Sequence, residues 1–235
     1  MHNFEQIKSE LLSKANKEKA KGLQRFFKTG PDQYGEGDIF IGITVPEQRV
    51  TAKKFRDAGL KEIEKLLHDK IHECRLTALL ILCEKFNKAD PGLRKEIFEL
   101  YMDNYEYINN WDLVDLSAPK IAGEYLLDKN RSYLYELAKS GNLWKQRIAV
   151  LASYAFIKNN DFSDTLKLSE LLLNHKHDLI HKAVGWMLRE AGKRNVNILK
   201  TFLNKHYKKM PRTMLRYAIE KLDENTRLKY LKGLA

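Results

Sequence analysis

The stretch Arg75-Leu76-Thr77-Ala78-Leu79-Leu80 sets a basic residue at the start of a long apolar run, with the small residue Ala78 inside it. Related stretches recur downstream, each built around one small or apolar anchor residue: Val114, Ala149, Ala183 and Ala218. Successive anchors are 36, 35, 34 and 35 residues apart. Such a period is typical of two-helix repeats, which stack on one another because a single repeat cannot bury its apolar face.

This period predicts an all-α protein, a HEAT-like helical-repeat solenoid of about five or six helix pairs with a concave basic face. In each pair, a shorter amphipathic helix is expected to precede the apolar helix that the anchor begins. The chain has only 12 Gly and 5 Pro, which agrees with helices joined by short turns. We expect a single domain over residues 1–235, and an irregular helical bundle is the alternative architecture.

Helix starts and one loop can be placed from local signals. Asp90-Pro91 has the order of an N-cap followed by proline in the first turn. The stretch Thr44-Val45-Pro46-Glu47 has the spacing of a capping box. Thr29–Asp38 (TGPDQYGEGD) is rich in turn residues and predicts a loop. Near residues 29–45 we therefore expect either a short extended segment, through Ile39–Ile41, or a hairpin.

The charge distribution favours a polyanionic partner. The chain has 42 Lys+Arg against 31 Asp+Glu, and the stretch Lys193–Ala235 alone has a balance of +9. A basic C-terminal third attracts a phosphate backbone, although a lysine-rich solubilising surface would give the same composition. The longest apolar run, Ala78–Cys83, is too short for a membrane span, and residues 1–12 lack a signal-peptide core. These features predict a cytoplasmic protein without a membrane partner.

Cations stand at equivalent positions near four of the anchors: Arg75, Arg147, Lys182 and Arg216. Equivalent positions in a repeat protein line one surface, so these residues predict a track for DNA phosphates. The unit around Val114 breaks this pattern, because it offers Trp111, Asp112 and Asp115 instead of a cation. A local departure from an otherwise consistent pattern is where function is to be sought.

Trp111 and Asp115 are four residues apart and therefore share one face of a helix. Pro119 lacks the N–H that would bond the Asp115 carbonyl, so the helix is expected to bend or end there. Across adjacent repeats, Trp111, Asp115, Arg147 and Trp186 are predicted to converge into a site with two indoles, one carboxylate and one guanidinium. Core packing of the indoles, and capping or ion pairing by Asp115, are the structural alternatives.

Three ordered segments, Asn110–Asp115, Asn142–Ala149 and Lys182–Glu190, resemble the successive motifs of the AlkD-like DNA alkylation repair proteins. The resemblance extends from about Phe26 to the C-terminus and implies a HEAT-repeat DNA glycosylase that removes N3- or N7-alkylated purines. By motif match, Asp115 resembles the catalytic residue, Trp111 and Trp186 the indoles at the lesion, and Arg147 a phosphate-binding partner. Further contacts to the DNA backbone are expected from Arg75, Lys182, Arg189 and Arg216.

The implied chemistry needs no cofactor, because alkylation already makes the purine a cationic leaving group. No metal site is expected either, since the pair His68/His72 lacks zinc-ligand spacing. The expected partner is double-stranded DNA, alkylated or branched, bound by a monomer at the nucleoid. Two alternatives stay open: a non-catalytic relative that binds branched or distorted DNA, and a HEAT-repeat scaffold that binds an acidic protein.

Overall fold

A computed structural model describes residues 2–234, which are helical apart from turns, loops and one isolated β-bridge. The chain forms two compact units, Met1–Ile121 and Ala122–Ala235. The expectation of a single domain over residues 1–235 stays a prediction. Within the described residues, no helix combines the length and apolarity needed to cross a bilayer.

The first unit is organised around one long buried helix, α5. Helices α3 and α4 pack on α5, α1 packs on α3 and α4, and α7 contacts α5 from further along the chain. Thirteen residues of α5 are buried, and some of them are polar or charged. Because these side chains lie inside the unit, they can bond to other residues of the unit. The helices of this unit are α1 (Phe4–Leu12), α2 (Lys17–Phe26), α3 (Val45–Lys54), α4 (Leu60–Leu67), α5 (His72–Lys88), α6 (Pro91–Asp103) and α7 (Trp111–Ser117), with a 3₁₀ turn at Tyr105–Tyr107.

The second unit has two long helices, α9 and α11, which pack against each other. Helices α8 and α10 contact α9, and α12 and α13 contact α11. A π-helical turn, Pro119–Gly123, crosses the boundary between the two units in the chain, since the second unit begins at Ala122. The helices are α8 (Ser132–Lys139), α9 (Leu143–Lys158), α10 (Ser163–Leu171), α11 (Asp178–Arg194), α12 (Val196–His206), α13 (Arg212–Ala218) and α14 (Glu224–Lys232).

The predicted repeat is confirmed by where the five anchors lie. They fall one each in the alternate helices α5, α7, α9, α11 and α13, and all are buried: Ala78, Val114, Ala149, Ala183 and Ala218. Two details of the prediction are wrong. Helices α7 and α13 have seven residues each and are shorter than the helices before them, and Ala218 ends α13 rather than beginning it.

The short length of α7 follows from the predicted effect of Pro119. The helix ends at Ser117, Ala118 is its C-cap, and the backbone continues as the π-helical turn that begins with Pro119. Because proline has no N–H, regular α-helical bonding cannot continue through this position. Departures of this kind from the α-helix are frequent at functional sites.

The local helix-start signals are also confirmed. The Asp90 side chain accepts a hydrogen bond from the Leu93 amide at 2.9 Å, and the Glu47 carboxylate accepts one from the Thr44 amide at 2.7 Å. Of the two expectations for residues 29–45, the extended segment is the one observed. It makes a single parallel bridge between Ile39 and Ile71 rather than a hairpin.

Gly185 in α11 permits the close approach of α13. A Cβ atom at this position would lie 2.5 Å from the Met214 carbonyl oxygen and 2.5 Å from the Tyr217 Cβ atom. Both atoms belong to a packed helix and cannot move away as the end of a flexible side chain could. The absence of a side chain at Gly185 is thus required by helix packing within the second unit.

Substituting Gly185→Ala should therefore destabilise the protein by about 1–3 kcal/mol, the usual cost of overpacking a buried contact. The matched control is Gly22→Ala in the exposed helix α2, where an added Cβ meets no atom within 4 Å. That change should stabilise the protein by about 0.5–1 kcal/mol, because alanine has the higher helix propensity. Urea unfolding of both variants measures the difference, and equal effects would contradict the packing role of Gly185.

Candidate functional site

The site in the first unit is built on α7, which begins at Trp111 and carries Asp115 one turn later. Both side chains are partly exposed, and Asp115 makes contacts within the structure. The α7 backbone is held at its start by Asn110, whose side-chain oxygen accepts a hydrogen bond from the Trp111 amide at 2.8 Å. The predicted sharing of one helix face by Trp111 and Asp115 is consistent with the observed helix.

A cluster of aromatic rings fixes the indole of Trp111. Phe27 stacks on it with 5.1 Å between ring centroids and 14° between planes, and Phe40 in turn stacks on Phe27 at 4.9 Å. Phe26 contacts both Trp111 and Phe27 edge-on, and 64% of its surface is exposed. Such pairs contribute about 0.5–1.5 kcal/mol beyond their buried area, so the ring of Trp111 is held in one orientation.

Behind these rings lies a buried ionic network that sequence reasoning did not identify. The imidazole of His72 lies between two carboxylates, 3.1 Å from Asp38 through Nδ1 and 2.9 Å from Asp112 through Nε2. The other oxygen of Asp38 accepts a hydrogen bond from Arg75 at 2.5 Å. The amide of Asn110 donates to Asp38 at 3.0 Å. Together these groups join the end of the 29–38 loop, helix α5 and helix α7.

The two carboxylates keep His72 protonated. Burial opposes the charged imidazole, but the charge of Asp112 and the hydrogen bonds to Asp112 and Asp38 outweigh it and raise the pKa of His72 to about 9. Burial likewise opposes ionisation of Asp38, while the hydrogen bond from His72 and the charge of Arg75 together lower its pKa. At neutral pH the network thus contains two anions and two cations, and its charges balance.

Arg75 does not form part of an exposed cationic track. Only 4% of its surface is exposed, and its guanidinium bonds Asp38, the Asn109 side chain and backbone carbonyls of Asp69 and Lys70. The expectation that Arg75 contacts the DNA backbone is corrected on this ground. A buried cation with internal partners cannot leave them without uncovering the charge of Asp38.

Glu73, the neighbour of His72, fixes the extended segment beside the aromatic rings. Its buried carboxylate accepts hydrogen bonds from the backbone amides of Ile41, Gly42 and Ile43 at 2.8–3.3 Å. Gly42 has φ of +84°, and a Cβ there would lie 2.0 Å from the Asn16 carbonyl oxygen. Only glycine fits this position, where the segment crosses the start of α2.

In the second unit, Trp186 and Glu190 repeat the spacing of Trp111 and Asp115. The indole Nε1–H of Trp186 donates to the Glu190 carboxylate at 3.2 Å, and Lys193 also bonds that carboxylate at 2.9 Å. The ring of Tyr154 lies 6.5 Å from the indole, measured between centroids. Trp186 is therefore held by its own unit in a defined orientation and stays partly exposed.

The remaining predicted cations of the second unit differ in accessibility. Arg147 is only 4% exposed and donates to the Leu179 carbonyl, so its predicted direct contact with a phosphate is corrected to a structural role within the unit. Lys182 pairs with Asp178 at 2.7 Å, and Arg189 pairs with Glu220 and lies 3.4 Å from Glu190. Arg216 is exposed, and the described residues provide it with no ion pair.

Sequence reasoning missed Asp38, Phe27 and Phe40 as supports of the site because they lie more than 70 residues from Trp111 in the chain. A usable signal was present in α5, where His72, Glu73 and Arg75 follow one another at the start of an otherwise apolar helix. Buried polar residues need partners, and such a group on an apolar helix predicts an internal network.

The pKa of His72 gives a testable pH dependence. Its folded value of about 9 exceeds the ordinary 6.5, so its stabilising contribution is complete below pH 6.5 and is lost as pH rises through about 9. We expect the free energy of unfolding to fall by about 3 kcal/mol between pH 6.5 and 9.5 through this group. Urea unfolding of the His72→Gln variant should show a much flatter profile over that interval.

The matched control for this experiment is His2→Gln, which changes an exposed histidine of the same unit. It should keep the pH profile of the wild-type protein. A wild-type profile as flat as that of His72→Gln would contradict the ionic network.

Known proteins resemble this chain in family and in fold. A family model described as DNA alkylation repair enzyme matches residues 7–222. The structure is similar to that of a predicted DNA alkylation repair enzyme from Enterococcus faecalis, with a TM-score of 0.68 and 18% identity over 89% of this chain and 97% of that chain. A search of curated proteins gave no match.

At this level of identity the structural likeness shows the fold, and it confirms the predicted all-α helical-repeat class. The family match covers most of the chain and includes all three motif segments on which the resemblance was based. Membership supports a role in DNA repair and implies an interaction with DNA. The chain belongs to the DNA alkylation repair enzyme family.

Proposed function

We propose that the protein is a DNA glycosylase that hydrolyses the N-glycosidic bond of N3- or N7-alkylated purines in double-stranded DNA. Family membership supports the repair role. The observation that carries the choice of reaction is the placement of Asp115, partly exposed and one turn from Trp111 on a helix that a buried ionic network fixes. Asp115 is the proposed catalytic carboxylate.

The proposed reaction is a displacement by water. Alkylation gives the purine a positive charge, and as the bond to C1′ breaks, positive charge develops on the deoxyribose. A carboxylate held near C1′ stabilises this charge more in the transition state than in the ground state. It can also orient the attacking water and accept the proton that the water loses as the new C1′–O bond forms. Because the leaving base is already cationic, no acid, metal or other cofactor is needed to activate it.

The indole of Trp111 would stabilise the cationic base, and Trp186 stays a predicted contact that rests on the motif match alone. An indole face attracts a cation through its quadrupole by about 0.5–2 kcal/mol. Stacking on Phe27 gives the ring of Trp111 a fixed plane, and the bond to Glu190 does the same for Trp186. Preorganised groups are effective because no free energy is used to orient them during the reaction.

Contacts with the DNA backbone are assigned to Lys182, Arg189 and Arg216. Lys182 pairs with Asp178, and both side chains are about half exposed; such exposed pairs contribute about 0–1 kcal/mol. Arg189 pairs with the half-exposed Glu220 and also lies beside the more buried Glu190. For Lys182, exchange of its partner for a phosphate therefore costs little. Arg75 and Arg147 are excluded from this role because they are buried.

The proposal predicts that Asp115→Asn lowers the rate of 7-methylguanine release from methylated duplex DNA by at least about a hundredfold. Binding of the same DNA should be unchanged or slightly tighter, because one negative charge is removed. The matched control is Asp57→Asn, which makes the same change at a carboxylate that is 83% exposed. Single-turnover excision and a binding titration measure the two effects separately.

Equal base release by Asp115→Asn and the wild-type protein would refute the role of Asp115. If the wild-type protein binds DNA tightly but releases no base, the non-catalytic alternative is correct. A salt series tests the scaffold alternative, since DNA affinity must fall linearly in log[salt] when several phosphates are bound. Absence of DNA binding would favour the acidic-protein scaffold.

A further inference from the structure

Helix α2 is held at both ends while its length remains exposed. At its start, the Asn16 amide donates to the Ile41 carbonyl at 2.8 Å, and at its end Phe27 is buried among Phe40, His72 and Trp111. None of the ten residues of α2 is itself buried. A helix that contributes so little to the core yet is fixed in place presents a defined surface to a partner.

Three cations of this region face one open cleft. Lys21, Arg25 and Lys28 line a cleft of about 490 Å³ together with Gln24, Thr29 and Gln33, and no carboxylate lines it. Lys21 pairs with Glu18 at 3.1 Å, but both side chains are more than 70% exposed, so this pair contributes little. Within residues 2–234, no carboxylate pairs with Arg25 or Lys28.

The concentration of these charges is unfavourable for the isolated protein. Lys21 and Arg25 are one helical turn apart, a spacing at which like charges destabilise a helix by about 0.2–0.5 kcal/mol. Lys28 has φ of +52°, in the left-handed region where glycine or asparagine would be less strained. The Lys28 carbonyl accepts a hydrogen bond from the Gly35 amide, but its ammonium has no hydrogen bond or ion pair within residues 2–234. A strained backbone position that carries such a side chain suggests a role for the charge outside the protein.

We infer that Lys21, Arg25 and Lys28, hereafter the α2 cleft, bind consecutive phosphates of one DNA strand beside the face that carries Trp111. Lys21 and Arg25 lie one turn apart, about 6 Å along the axis of α2, and Lys28 follows two residues beyond the end of this helix. The three cations are therefore close enough together to meet neighbouring phosphates, which recur about every 3.4 Å of duplex axis on each strand. Charge complementarity selects the partner, because cations without carboxylates and with amide and hydroxyl neighbours suit phosphate oxygens.

The position of the α2 cleft connects it to the proposed reaction. Lys28 directly follows Phe27, whose ring stacks on Trp111 at 5.1 Å. A phosphate held at Lys28 would therefore anchor the strand close to the nucleotide that Trp111 contacts. The inference rests on the proposed action on duplex DNA and adds a backbone contact in the first unit, where Arg75 provides none.

The experiment compares two triple variants in binding to unmodified duplex DNA over a salt series. The first is Lys21→Gln/Arg25→Gln/Lys28→Asn, in which asparagine suits the left-handed position. The control is Lys53→Gln/Lys61→Gln/Lys88→Gln, which removes three exposed charges elsewhere in the same unit. The first variant should bind on the order of tenfold to hundredfold more weakly at 0.1 M salt, with a log–log salt slope reduced by about 2–3. The control should keep at least most of the wild-type slope.

Equal slopes for the two variants would overturn the inference, as would absence of DNA binding by the wild-type protein. Thermal unfolding shows that a loss of binding is not a loss of folding, since the cleft variant should melt at or above the wild-type temperature. Excision by the wild-type protein is measured separately. If the protein excises the base but the cleft variant binds DNA as the control does, only this inference is refuted. If the cleft variant loses binding but the wild-type protein excises no base, only the glycosylase proposal is refuted.

Discussion

The protonated imidazole of His72 between two buried carboxylates is the interaction on which the candidate site depends. Its hydrogen bonds to Asp38 and Asp112 join the end of the 29–38 loop to α5 and α7. Removing one member would leave an uncompensated buried charge, a change that typically costs several kcal/mol. The helix with Trp111 and Asp115 therefore has a fixed register on α5, and α7 needs this support because it is only seven residues long.

Charge balance explains why such a network can be buried. Arg75 and His72 provide two positive charges against the two carboxylates, and Asn110 satisfies a remaining lone pair of Asp38. Aromatic rings shield one side, since Phe40 stacks on His72 at 4.5 Å between centroids. The same rings continue through Phe27 to Trp111, so the groups that keep His72 charged and the ring proposed to contact the base belong to one packed cluster.

The repeat architecture could be predicted from sequence because each anchor is a small or apolar residue that is buried in its helix, which leaves a regular period. The capping signals and the helix break at Pro119 likewise depend on neighbouring residues in the sequence, and the structure confirms both. The burial of Arg75 and Arg147 could not be predicted in this way. In a sequence, a cation at the start of an apolar helix looks the same whether its side chain faces solvent or bonds a buried group. The partner of Arg75, Asp38, also lies 37 residues upstream. The need for glycine at position 185 comes from the backbone of α13, which the residues next to it in the sequence do not indicate.

The protonation state of His72 tests this account most directly. Ring ¹⁵N chemical shifts of His72, followed by NMR from pH 6 to 10, report whether one or both nitrogens carry a proton. We predict an imidazolium with both nitrogens protonated at pH 7.5, and a transition near the pKa of about 9. A neutral imidazole at pH 7.5 would contradict the account, because a neutral ring has only one N–H and cannot donate to Asp38 and Asp112 together.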